Sequence, residues 1–138
     1  MHTEHLQNVE SSWVVFGWFI GAAIFSVLLM GMILLGLVHD DAPTSAWVLI
    51  AIFLGYLGGG FVIGMRTGAA PILHAVGVGL VSLVFWLIAN LVADGIDADT
   101  WRNTAPEWVV GGILLQIVAT WLGAHLASRE ARAESRPL

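Results

Sequence analysis

The chain has 138 residues and a net charge of −5; 58% of its side chains are hydrophobic and only 11% are charged. A soluble domain carries about 25% charged residues to wet the surface over its core, so water is not this chain's main solvent. The absence of cysteine excludes disulfides and thiolate chemistry, the absence of lysine excludes a Schiff base, and five arginines leave no nucleic-acid footprint.

Residues 11–38 form a first run free of Asp, Glu, Arg and His. No basic residue other than histidine precedes it, and it is far longer than the apolar core of a signal peptide, so it reads as a retained span. Similar runs follow at 42–65, at 67–93 with His74 alone, and at 108–128 with His125 alone. Each exceeds the roughly 20 residues a helix needs to cross a bilayer. None alternates apolar with polar as a barrel strand would, and backbone groups in lipid pair within their own segment. The pattern predicts an all-α, four-transmembrane-helix bundle with spans near 13–38, 46–65, 71–92 and 107–127. Residues 1–12 and 128–138 are the tails. Ser11 or Ser12 is expected to cap the first helix and Thr44 or Ser45 the second; Pro71 suits the first turn of the third, and Pro106 precedes the fourth.

Arg66, Arg129, Arg132 and Arg136 fall on the side that holds both termini, and only Arg102 on the other, which makes the termini cytoplasmic. Trp13, Trp47, Trp101 and Trp108 lie near the expected interfaces, while Trp18, Trp86 and Trp121 lie deeper. Trp47-Val48 with Ile52 and Leu54 recurs as Trp108-Val109 with Ile113 and Leu115, and Gly21 and Ser26 recur as Gly77 and Ser82. This pattern fits a duplicated hairpin.

The sixteen glycines are spaced for close helix contact. Gly17 and Gly21, Gly55 and Gly59, and Gly60 and Gly64 each stand four apart; Ala75 and Gly79 continue the pattern on the third span, and Gly112 and Gln116 on the fourth. Helices in lipid associate largely through such small faces. They make the second helix central and suggest a homo-oligomer or an accessory subunit of a membrane complex. Ser26, Ser82 and Gln116 lie near mid-depth, where packing hydrogen bonds are the simplest reading and a polar solute path is the alternative.

At the inner ends, Arg66, His74 and His125 are expected at similar depth, with the loop Gly68-Ala69-Ala70 leading into the third helix and no acid nearby in sequence. They form a candidate site for an anion such as a lipid headgroup; an interfacial anchor is the plainer role. Haem held between His74 and His125 is a further alternative, although nothing in the sequence calls for a cofactor. No carboxylate lies inside a span, which argues against proton-coupled transport, and two histidines are too few for a hydrolytic metal centre. The chain reads as non-enzymatic, with a small channel or carrier for a neutral or anionic solute as the alternative to a structural subunit.

The stretch from Gly58 to Leu80 resembles a group of small four-helix bacterial membrane proteins of uncharacterised function. In that group a glycine-rich second span ends Gly-x-x-x-Gly-x-Arg, here Gly60, Gly64 and Arg66, and the third opens with a histidine, here His74. Ala75 stands where the group often carries glycine. The resemblance implies the fold and a bacterial inner-membrane address, but no reaction.

Overall fold

The computed structural model describes residues 9–38, 46–96 and 106–134. They form four helices: α1 (Ser11–Leu34), α2 (Ala46–Thr67), α3 (Pro71–Ile96) and α4 (Pro106–Glu134). All four are long and apolar enough to cross a membrane, so the molecule is an all-α, multi-pass membrane bundle.

The first helix stops earlier than its apolar run. Gly36 adopts φ +68; its N–H donates to the Ile33 carbonyl at 2.9 Å and that of Leu37 to Met32 at 2.9 Å. This is a Schellman closure, in which a left-handed glycine turns the chain and satisfies the last carbonyls. The stop belongs to the backbone, which hydropathy does not report. The start differs too. Glu10 is the N-cap and makes no side-chain cap bond; its carbonyl accepts from the Trp13 and Val14 N–H groups at 3.0 and 3.2 Å, while Ser11 and Ser12 lie inside the first turn. Thr44 and Ser45 lie outside the described residues. Pro106 is the first residue of α4 rather than its predecessor, and the helix continues past residue 127 to Glu134.

Contacts fix the directions. Along α1 and α3, Glu10 meets His74 and Trp18 meets Ser82, so the two helices run parallel. Along α2 and α4, Gly60 lies on Thr120 and Gly64 on Ala124, a second parallel pair. Gly59 with Gly17, and Gly55 with Phe25, make α1 and α2 antiparallel; Gly79 against Ile117 and Trp86 beside Trp108 do the same for α3 and α4. The order around the bundle is α1, α2, α4, α3, with α2 and α3 at opposite corners. A two-fold axis along the membrane normal would set the matching helices of two hairpins at opposite corners. Here α1 stands beside α3 and α2 beside α4, so the hairpins lie side by side.

The second helix is the innermost: seven of its residues, from Ala51 to Gly64, are buried, more than on any other helix among the described residues. Its glycines fall in two rows, Gly55 and Gly59 toward α1, Gly60 and Gly64 toward α4. A Cβ on Gly59 would stand 2.5 Å from the Gly17 carbonyl oxygen, and one on Gly60 would stand 2.6 Å from the Thr120 Cα. Backbone therefore touches backbone on both sides, the contact that only small residues allow. By contrast α3 is held by side chains: Gly77 receives Val14, Gly79 receives Ile117, and Ala75 is fully buried.

Candidate functional site: a polar node under the α3–α4 cleft

Polar side chains from all four helices converge near mid-depth. The indole Nε1–H of Trp18 donates to Ser82 Oγ at 2.8 Å, the Ser82 hydroxyl donates to Gln116 Oε1, and the Tyr56 phenol lies beside Ser82. Trp18, Tyr56 and Ser82 are buried, and in hydrocarbon each such group needs a partner. Each helix contributes one member for a local reason. Trp18 follows Gly17, whose missing side chain admits Ile63. The Tyr56 ring lies against Gly21, where a Cβ would stand 2.8 Å from Cδ1. The Trp18 ring also packs against Phe85 at 5.1 Å.

Ser82 and Gln116 were visible in the sequence as mid-span polar residues; Trp18 and Tyr56 were not read as their partners. A mid-span tryptophan and the chain's single tyrosine carry donors that lipid cannot satisfy, and that was the available signal. Ser26, equally deep, bonds only to the Ala22 carbonyl of its own helix at 2.8 Å. The two serines of the apparent repeat therefore do different work.

Above the node a cleft of about 210 Å³ opens between α3 and α4, bordered by Ser82, Trp86, Trp108, Gly112, Ile113 and Gln116. Gly112, expected at a helix contact, lies on this cleft instead: a Cβ there would meet nothing within 4 Å. α4 gives its close contacts to α2 through Thr120, Gly123 and Ala124, which leaves its N-terminal half standing off from α3. A second, apolar cleft of about 160 Å³, lined by Ile72, Ala75, Ile117, Val118 and Trp121, lies further along the same seam. Gly79 against Ile113 and Ile117 separates the two.

Arg66, His74 and His125 are arranged differently from a common anion cradle. His74 is fully buried. Its Nδ1 bonds to the Ala70 carbonyl at 2.9 Å, and its Nε2 accepts the Glu10 backbone N–H at 3.3 Å. That pairing fixes a neutral ring with the proton on Nδ1, leaving no donor for a phosphate and no lone pair for haem iron. His74 thus ties the start of α1 to α3. Arg66 is exposed, its guanidinium 5.7 Å from the Trp13 ring centroid, a cation–π contact. Trp13 follows Glu10 by one turn, so the fold brings an acid to the rim where the sequence placed none. His125 is half-buried and stacks on Trp121 of its own helix at 5.8 Å. The first turn of α1 therefore gathers Arg66 and His74, while His125 has its ring partner elsewhere.

Thr120 is 1% exposed and, among the described residues, its Oγ1 has no hydrogen-bond partner. Among the described residues no group of three metal-ligating side chains converges. No protein-family model matches the chain, and neither does any curated protein or solved structure.

Proposed function

We propose that the protein is a non-enzymatic membrane protein of the binding or carrier type, which holds a small uncharged molecule in the outer cleft between α3 and α4. The observation that carries this reading is the polar floor of that cleft. Ser82 and Gln116 border it from two helices, and Trp18 and Tyr56 support them from the other two. Among the described residues no charged side chain borders the cleft, and a neutral floor favours a neutral guest, because amides and hydroxyls do not offset the desolvation of an ion.

The other arrangement expected from the sequence, a homo-oligomer or accessory subunit joined through glycine faces, finds those faces occupied. Gly17, Gly21, Gly55, Gly59, Gly60 and Gly64 all close against neighbours within the bundle. The large apolar side chains that remain outside, such as Phe16, Phe19, Leu80, Val84 and Leu91, suit contact with lipid acyl chains. The arginine distribution supports a cytoplasmic-membrane protein with both termini inside, in line with the resemblance of Gly58–Leu80 to small four-helix bacterial membrane proteins.

The test is a comparison of solvent extracts from purified wild type and Gly112→Val, a variant that fills the cleft without touching the node. An uncharged compound retained by wild type and missing from the variant is the expected result. Identical extracts carrying the same retained compounds would refute the assignment.

A further inference from the structure

The node also fixes which way the Gln116 amide faces. A serine hydroxyl has one proton to donate and two lone pairs to offer. Ser82 Oγ accepts the Trp18 indole N–H and gives its single proton to the Gln116 side chain. Of the two amide atoms only the oxygen can accept that proton, and Oε1 is the one that does. The amide nitrogen is thereby turned away from the node. Among the described residues Gln116 Nε2 meets no hydrogen-bond partner, and it is not fully enclosed. On a half-buried residue that borders the cleft, this open N–H₂ group faces into it.

Three features then define the guest. Its anchoring point is a hydrogen-bond acceptor, because Nε2 offers only donors. The acceptor must reach from Trp108 to Gln116, about 12 Å along the helix at 1.5 Å per residue. That approaches the middle of a hydrocarbon core about 30 Å thick, well below the interfacial carbonyls of ordinary lipids, so the guest is soluble in hydrocarbon. Two indoles, Trp86 and Trp108, border a space of about 210 Å³, and indole faces favour flat ring systems. The geometry points to Gln116 as the anchoring donor for an uncharged ring compound bearing a carbonyl oxygen, held in the α3–α4 cleft. This rests on the cleft assignment above and narrows it to a chemical class.

The test uses the full chain in detergent and two probes of matched ring size: 2-methyl-1,4-naphthoquinone, which carries carbonyls, and 2-methylnaphthalene, which does not. Equilibrium dialysis against wild type, Gln116→Leu and Gly112→Val gives the affinities. Wild type is expected to hold the quinone at least tenfold more tightly than Gln116→Leu does, with 2-methylnaphthalene indifferent to that change. Gly112→Val, which adds methyls to open space, is expected to release both probes. If Gly112→Val releases the probes but Gln116→Leu binds the quinone like wild type, the cleft stands and the carbonyl anchor is overturned. If neither substitution alters binding of either probe, cleft and anchor both fall. Should Gln116→Leu not purify as a folded bundle, the two probes on wild type decide: equal affinity overturns the anchor, and a tenfold preference for the quinone supports it.

Discussion

The α2–α4 seam makes a quantitative prediction through Gly60→Ala. An added Cβ would stand 2.6 Å from the Thr120 Cα and 2.7 Å from its carbonyl carbon, and closer still to its oxygen. Carbon atoms rest about 3.5–4.0 Å apart, so the helices must separate by about 1 Å. The contact continues along the seam, so the movement spreads. Gly64 already places its backbone where a Cβ would stand 2.7 Å from the Ala124 Cα, and Gly123 would meet Phe61 N at 2.7 Å. Overpacking of this kind costs about 1–3 kcal/mol. Replacing glycine in a helix returns about 0.5–1 kcal/mol of backbone entropy, so the net loss should be of order 1–2 kcal/mol. Gly112→Ala is the matched control, because its Cβ meets nothing within 4 Å and only the entropy gain remains, about 0.5–1 kcal/mol of stabilisation. Thermal unfolding in one detergent, followed by helical circular dichroism, should rank Gly112→Ala at or above wild type and Gly60→Ala clearly below both. Equal midpoints for the two alanine variants would refute the backbone-contact account of the seam.

Ser82→Ala should cost about 1–3 kcal/mol in the same assay, because it strands the Trp18 N–H and the Gln116 oxygen together, whereas Ser26→Ala, which removes only a bond to its own helix, should stay within about 0.5 kcal/mol of wild type. His74→Leu removes the acceptor of the Glu10 N–H, so a single cysteine at Ser12 should react faster with a soluble thiol reagent in that background; an unchanged rate would mean His74 does not tie down α1. A reporter fused after Leu138 should be active in the cytoplasm and a cysteine at Asp97 labelled from outside, and protection of Asp97 in intact cells would reverse the topology. If Arg66 recruits anionic headgroups, Arg66→Gln should retain fewer of them in native mass spectrometry while His74→Leu retains as many as wild type; equal retention by all three would leave Arg66 as an anchor on Trp13.

Hydropathy alone determined the number of helices, their approximate limits and their medium, because a span must be apolar along its whole length and that is a property of composition. Glycine spacing located the surfaces of α2 for a similar reason: residues four apart share a face, and only glycine lets another backbone touch it. What composition could not decide was which helix fills each face. Gly60 and Gly112 look alike in sequence, yet one lies on the Thr120 backbone and the other borders open space. The difference arises because α4 gives its tight contact to α2 and stands off from α3.

The polar residues divide in the same way. Each mid-span donor announces a need for a partner, but Ser26 meets that need on its own helix and Ser82 meets it on two others, since only Ser82 faces the bundle axis. His74 and Arg66 were placed at one depth by their positions in the chain. Their chemistry was set by the start of α1, which the parallel packing of α1 on α3 brings to both. That contact consumes the ring nitrogens of His74 and sets Arg66 over an indole. Sequence fixes which groups are present at each depth; tertiary packing decides which of them remain open to a ligand, because a hydrogen-bonding group already paired inside the bundle has nothing left to offer.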